Sequence, residues 1–377
     1  MPKSAIVIGA GIVGLATARA LAVRGYAVTV VEGNEKAVGA SVRNFGMVWP
    51  IGQPQGKLYE RALLSKSVWK EVCTDAGIWY EEAGSLHLAY NDVEQQVLEE
   101  FYEAEKEVRP LRLLAASETV QKSGAVVGEG LRRSLYSADE LIVDPREAIA
   151  KLPAYLTEKY GVRFVWSSKA TKVSHPSVWC GRAVYQADEV FVCTGADFET
   201  LFPEEFAALP LTKCKLQMMR TAAQPNGWRI GPALCGGLSL IHYKSFAAAP
   251  SLPALLQQYG NALPNYLRWG IHVMVSQNGS GELTLGDSHE YGATVDPFDK
   301  TFINDLILSY LKRFARFKNE TIAETWNGVY AKLTDGATEV VLRPQNGVTV
   351  INGLGGAGMT LSFGLCEEVV AANQSIL

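Results

Sequence analysis

Two sets of residues in this 377-residue chain have the types and spacing that chemistry needs. The first is a pair of glycine clusters, Gly9, Gly11 and Gly14 near the start and Gly353, Gly355, Gly356 and Gly358 near the end. Glycines so grouped let backbone N–H groups close on a phosphate or another anion. The second is a polar set of His242, Tyr243, Lys244, His272, Asp287, His289, Tyr291, Tyr330 and Lys332. It offers cations for an anionic substrate and groups that can take or give a proton. Four of the five histidines fall between His175 and His289, but their spacing matches no compact metal motif, so no metal is expected. Any one of these histidines would by default be an ordinary hydrogen-bonded residue, and only their grouping points to binding.

The first glycine cluster needs a βαβ unit to position it, and the sequence supplies one. Ser4 to Ile8 is a short apolar run suited to a buried parallel strand, Leu15 to Val23 has helical spacing, and Ala27 to Val31 reads as a second strand ending at Glu32. Gly9 permits the tight turn, Gly11 lets a pyrophosphate reach the backbone, and Gly14 lets helix and strand pack closely. Glu32 suits ribose hydroxyls and would repel a 2′-phosphate, which disfavours NADP. The dinucleotide contacts expected here are Gly9, Gly11, Ile12, Val13, Gly14, Glu32 and Gly33. A GxGxxG alone is weak; strand, turn, helix, strand and acid in order make it much stronger.

Three later segments decide which dinucleotide is bound. The loop Gly39 to Met47 is polar and holds Ser41 for a pyrophosphate oxygen, with Arg43 and Asn44 able to reach a ring or substrate and Gly46 and Met47 completing it. The run Ala187 to Ala196 is a buried strand ending in Thr194 and Gly195, where the chain can turn beside a diphosphate. Finally Val348 to Asn352 reads as a strand, the glycine segment to Thr360 as a loop, and Leu361 to Ala372 as a helix. A helix N-terminus there would stabilise negative charge on the N1 and C2 carbonyl side of a reduced flavin.

Together, the Gly9 motif, the Gly39-Ala40-Ser41 loop, the Cys193-Thr194-Gly195 strand end and the Gly353 to Thr360 loop resemble the superfamily of D-amino-acid oxidase, glycine oxidase and sarcosine oxidase. The likeness covers most of the chain, strongest at its ends. Within that superfamily, Ser41 to Pro50 resembles a group of oxidoreductases linked to aminophosphonate breakdown. The resemblance implies an α/β architecture: a Rossmann-like FAD-binding domain (1–81, 144–209, 334–377) with an inserted α+β substrate domain (82–143, 210–333) built on an antiparallel sheet. It implies non-covalent FAD, since no Cys occupies a recognisable anchor position, with adenine near Val173. The phosphates fall near Gly11 and Ser41, and the ring near Arg43 to Met47 and Gly355, Gly356, Gly358, Met359 and Thr360. Many relatives carry a Trp-x-Gly-Leu-Arg-Pro segment whose arginine clamps a carboxylate; here Trp326-Asn327-Gly328-Val329 runs on to Tyr330. The missing clamp shifts the expected substrate from a simple α-amino acid towards a phosphonate or another anion, held by Lys332, Arg43, Lys244 or Arg220.

The expected reaction is hydride transfer from a carbon bearing a neutral amine to flavin N5, giving an imine that water hydrolyses. Arg43, His272, Tyr330 and Lys332 are the catalytic candidates, and His242, Tyr243 and His289 join Arg43, His272, Tyr330 and Lys332 in the substrate set. His272, His289 or Tyr291 would accept the amine proton, and Lys332 or Arg43 would assist oxygen, the expected acceptor. Three rivals compete: a non-catalytic flavin-binding scaffold or assembly factor, a flavin dehydrogenase using another acceptor, and an NAD-dependent dehydrogenase that leaves the last glycine loop unexplained. Composition is that of a globular protein, 48% hydrophobic and 20% charged with a formal charge of -4, which gives no footprint for nucleic acid. The partners expected are a small amine and an electron acceptor. The six cysteines form no CxxC pair and no apolar run reaches the length of a membrane span, so a cytoplasmic setting is expected.

Overall fold

The computed structural model describes residues 2–374. Its first layer is a six-stranded sheet in the order Val340–Gln345, Val348–Asn352, Glu189–Val192, Ser4–Ile8, Ala27–Val31, Arg163–Val165. All neighbours are parallel except the edge pair Val340–Gln345 and Val348–Asn352. Ser4–Ile8 is flanked on both sides, and its Ala5 to Ile8 are buried. That placement is why it reads as an unbroken apolar run instead of an alternating one. The helix Ile12–Val23 is buried along most of its length, packed by the helix Gly358–Gln374 on one side and by Pro145–Tyr160 on another.

A nine-stranded sheet forms the second layer. Its path runs Glu290–Gly292, Leu211–Thr221, Leu283–Gly286, Met274–Gln277, Ala233–Cys235, Ser85–Ala89, Arg133–Ser137, Leu111–Ala115, with Ile322–Leu333 also paired along Leu211–Thr221. The sheet is antiparallel apart from one parallel pair, Ala233–Cys235 with Ser85–Ala89. The α/β fold with a sheet-based second layer therefore stands, and the second sheet is mixed at that one seam. A short three-stranded sheet of Met47–Val48, Leu141–Val143 and Tyr80–Glu81 lies where the chain passes between the layers.

Several elements differ from the sequence reading for local reasons. The last helix begins at Gly358, three residues before Leu361, because Gly355–Ala357 already forms a 3-10 turn leading into it. The apolar stretch from Gly270 to Gln277 is strand only at Met274–Gln277, since Gly270 takes a left-handed φ of 55° and its neighbours turn. The charged stretch from Asp92 to Val108 is helical over Asp92–Glu105 and is capped by Asn91, whose side chain accepts from the Val93 and Glu94 N–H groups. It is no merely solvated face: Val97, Leu98 and Phe101 are buried. Among the described residues no helix is long and apolar enough to cross a membrane.

Candidate active site

The glycines of the first turn are fixed by how little room they have. A Cβ on Gly14 would sit 1.9 Å from the Gly9 carbonyl oxygen, and one on Gly9, at φ 103°, would sit 2.4 Å from the Cys193 carbonyl oxygen. Only glycine lets the helix start this close to two strands. Glu32 reaches back from the end of the second strand and accepts from Ala10 N–H at 2.9 Å and from the Asn34 backbone and side-chain N–H groups at 3.0 Å. The Ser41 hydroxyl accepts from Ile12 N–H at 2.9 Å, so the loop after the second strand is docked on the N-terminus of the first helix. From the other end of the chain, a Cβ on Gly358 would lie 3.7 Å from Ile12 Cγ2. The two glycine clusters thus meet, 344 positions apart for Gly14 and Gly358.

A single cavity of about 260 Å³ runs between these clusters. It starts at Ile12, Ser41 and Arg43, passes Met47, Trp49 and the turn Gly353 to Thr360, and ends among His242, His272, Asp287, His289, Tyr330 and Lys332. Helix-terminal N–H groups at one end and polar side chains at the other suit a dinucleotide whose ring faces a substrate chamber. A buried hydroxyl beside the first turn, Thr194 Oγ1, has no hydrogen-bond partner among the described residues and is a further donor for such a ligand.

Several expected cofactor residues serve the framework through their side chains. Asn44 donates to the Ala40 and Ser41 carbonyls and accepts from Gly46 N–H, so its amide braces its own loop and is not free for a ring. Gly46 is needed because a Cβ there would meet the Val143 carbonyl oxygen at 1.9 Å. Thr360 accepts from Trp49 N–H at 3.0 Å, and the Met359 carbonyl accepts from Trp69 Nε1–H at 2.8 Å. The Gly195 carbonyl accepts from the Asn352 side chain at 3.0 Å, and the Val13 carbonyl accepts from the Thr17 hydroxyl at 2.8 Å. Gly33 lies against Lys169, and the Val173 side chain is buried with Ile8, Val31 and Ala170, so only backbone is offered at those positions.

At the polar end, Tyr330 and Lys332 stand two apart on the strand Ile322–Leu333 and therefore share a face. A Cβ on Gly356 would lie 3.5 Å from the Tyr330 hydroxyl, and Lys332 bridges to Leu354, which puts both side chains beside the last glycine turn. The Lys332 ammonium lies 5.5 Å from the centre of the exposed Tyr291 ring. Burial holds the Tyr330 phenol well above its ordinary range, with Cys214 alongside, so Tyr330 is neutral. Arg43 donates to the Asn327 carbonyl at 3.1 Å and lines the cavity wall. Two other expected cations take different places. Arg220 is paired with Glu282 at 3.2 Å and does not line the cavity, while Lys244 reaches the Gly336 carbonyl at the cavity rim.

The fold also assembles what spacing did not reveal. His242 ends the helix Leu238–His242, His272 precedes the strand Met274–Gln277, and His289 follows Leu283–Gly286, yet one ring nitrogen from each lies within 4.8 Å of the others. His272 Nε2 is 3.0 Å from Asp287 Oδ1, and His289 Nδ1 is 2.9 Å from the Gly270 carbonyl. Burial lowers the His242 pKa well below the usual range, helped by repulsion from His272 and His289, and lowers that of His289 to about 4. Burial opposes the charge on Asp287, but His272 and His289 offset it and leave its pKa lowered. Motif spacing could not find this group because its members come from three segments; the Asp287-Ser288-His289 run at a strand end was the one local signal.

A parallel dinucleotide sheet closed by a C-terminal glycine turn, facing a second sheet that carries the polar residues, defines a flavin-dependent oxidoreductase architecture. The chain matches the FAD dependent oxidoreductase (DAO) family over residues 4–372 and belongs to that family; FAD is its cofactor. Over 252 residues it is 27% identical to the tRNA 5-methylaminomethyl-2-thiouridine biosynthesis bifunctional protein MnmC of Stutzerimonas stutzeri, a match covering 62% of this chain and 35% of that protein. The chain therefore spans about a third of that relative's length. Its fold superposes on L-proline dehydrogenase from P. horikoshii with TM-score 0.77 and 20% identity, covering 99% of this chain and 95% of that one. Glycine oxidase from Geobacillus kaustophilus gives TM-score 0.76 and 18% identity, with 98% and 94% covered.

Proposed function

We propose that the protein oxidises the C–N bond of a small amine that also carries an anionic group, an aminophosphonate or an N-alkylated amino acid, and that oxygen is the acceptor. The observation that carries this reading is the placement of Lys332 and Tyr330 directly beside the last glycine turn, with Arg43 and three histidines around the same chamber. Two of the solved structures with the same fold are, by name, a glycine oxidase and an L-proline dehydrogenase, which supports an amino compound as substrate.

Bound FAD supplies the hydride acceptor in this reaction. The chain's own residues do the rest. The 1–81, 144–209 and 334–377 segments hold the cofactor, and 82–143 with 210–333 roof the chamber. Lys332 and Arg43 draw in the anionic end, and Tyr330, kept neutral by burial, walls the chamber without adding charge. The same positive charge in the chamber disfavours the ammonium form, so the amine gives up its proton to solvent and settles unprotonated, as C–H cleavage requires, without a strong base. Lys332 then stabilises negative charge developing on oxygen. The imine product is hydrolysed by water.

Anaerobic mixing of the yellow protein with amino acids, N-methylated amino acids and aminophosphonates tests the reading. Loss of the yellow colour with an anionic amine, restored by air with release of peroxide, is the expected result. Colour that no amine removes would overturn it in favour of a flavin-bound scaffold, and colour restored only by an artificial acceptor would make the protein a dehydrogenase.

A further inference from the structure

From the histidines that meet at the end of the chamber, we propose that His242, His272 and His289 bind a divalent transition-metal ion, Zn(II) in the first instance, whose open position takes the anionic group of the substrate. The inference rests on the reading of this chamber as the substrate site.

The case starts with ring nitrogens. Histidines that ligate metals commonly donate their second ring N–H to a carboxylate or a backbone carbonyl, which fixes the tautomer and aims the free nitrogen. His289 is arranged in this way, and His272 has a carboxylate at hand. His272 Nε2 lies 3.0 Å from Asp287 Oδ1, while its Nδ1 is buried and has no hydrogen-bond partner among the described residues. His289 presents Nδ1 to the Gly270 carbonyl at 2.9 Å, leaving Nε2 free, 3.9 Å from the other Asp287 oxygen. An orphaned buried nitrogen is a cost that a ligand would remove.

The backbone holds His272 and His289 in place. His272 and Asp287 exchange both backbone hydrogen bonds, at 3.2 and 2.8 Å, and His289 N–H donates to the Trp269 carbonyl at 2.8 Å. Gly270 has no Cβ, which would lie 2.8 Å from His289 Cβ, and so allows that close approach. Ring centres stand 3.7, 4.9 and 5.3 Å apart, near the roughly 5 Å expected when three imidazoles share an ion at about 2.1 Å. The closest pair, His242 stacked on His272, must open by a tilt of His242, which ends its helix and makes no side-chain hydrogen bond among the described residues.

Charge gives the site a purpose. Three neutral imidazoles bring no charge of their own and the Asp287 carboxylate behind them offsets one charge of the ion, so a net positive charge remains, and the cavity continues from the histidines towards Lys332. A doubly charged phosphonate or a carboxylate would bridge ion and ammonium, the task performed by the arginine that this sequence lacks after Trp326-Asn327-Gly328.

The experiment uses the FAD-loaded protein, stripped with a chelator and dialysed against Zn(II) or Co(II). Bound metal is counted by atomic emission, Co(II) geometry is read from its visible bands beyond the flavin absorption, and flavin content verifies folding of every variant. One equivalent of metal is expected, with tetrahedral Co(II) bands, falling to background in H242N and H289N; D287N should weaken binding about 10–100-fold. Removing the metal should raise KM for an anionic amine at least tenfold. Failure of the wild-type protein to retain metal above the H242N background overturns the proposal even if amines bleach the flavin. Metal binding without bleaching by any amine leaves the site standing and overturns the functional reading on which its purpose rests.

Discussion

At the residue scale, the chamber divides into groups that touch a ligand and groups that hold the frame, and the sequence alone does not sort them. On the proposed function Lys332 belongs with the first: its strand runs beside Leu354 and Gly355, and no carboxylate ion-pairs with it among the described residues. Lys332→Met should slow reoxidation of the reduced flavin by oxygen by about 100-fold, the usual loss when one aligned charge is removed, as read by stopped-flow mixing. A rate unchanged within a factor of two would assign that role elsewhere. Asn44 and Thr360 looked like cofactor ligands because polar side chains in glycine loops often are, yet backbone N–H and carbonyl groups of their own neighbourhood claim both. Residue type and spacing cannot reveal such competition. The histidines stood in the sequence as part of a loose polar set, but the convergence of their ring nitrogens was illegible for the opposite reason, being a property of three chain segments and not of any one.

Elements were far easier to read where burial imposes a strict pattern. Ser4–Ile8, Ala27–Val31 and Val348–Asn352 fall where apolar runs placed them, because central parallel strands tolerate almost nothing else. The meander Lys172–Ser174, Ser177–Cys180, Ala183–Gln186 was only partly visible, since its last strand is mostly exposed and carries little pattern. Helix packing yields a second prediction. Lys57–Ala76 and Gly358–Gln374 are joined by Arg61, whose almost wholly buried guanidinium donates to Glu368 at 2.9 and 2.8 Å and to Glu339 at 2.9 Å. Arg61→Met would leave Glu339 without its cation and Glu368 with only the exposed Lys57 at 3.5 Å, and should cost about 2–4 kcal/mol, less than a fully buried pair because both glutamates are partly solvated. Urea unfolding measures it, and a loss below about 0.5 kcal/mol would reduce the contact to an ordinary surface pair. The same variant should retain FAD less well, since that helix begins at the flavin-facing turn.

Across the whole molecule the two layers are tied by a buried acid that gave no sign in the sequence. Glu140 accepts from Ile51 N–H at 3.0 Å and from the Ser85 hydroxyl at 2.9 Å, linking the segment after the cofactor loop to a strand of the second sheet. Burial raises its pKa from 4.5 to about 7, with Asp139 adding to the shift. A carboxyl raised in this way favours the fold only while protonated. Its contribution is therefore complete below about pH 4.5 and is lost as the pH rises through about 7, an effect on the order of 3 kcal/mol. Glu140→Gln keeps a neutral side chain at every pH and should flatten the fall in unfolding free energy between those limits relative to wild type. Parallel curves for the two proteins would contradict the assignment.

The meeting of Gly358 with Ile12 sets the order in which the living protein can be completed. During synthesis the opening turn leaves the ribosome roughly 340 residues before the closing one, a gap of some 20–70 seconds at ordinary translation rates. On the proposed placement of the cofactor, the nascent chain for that interval carries the opening turn for the diphosphate but lacks the closing wall for the isoalloxazine. Flavin capture is then a late event, and the vitamin supply of the cell meets this enzyme only after its last helix has emerged.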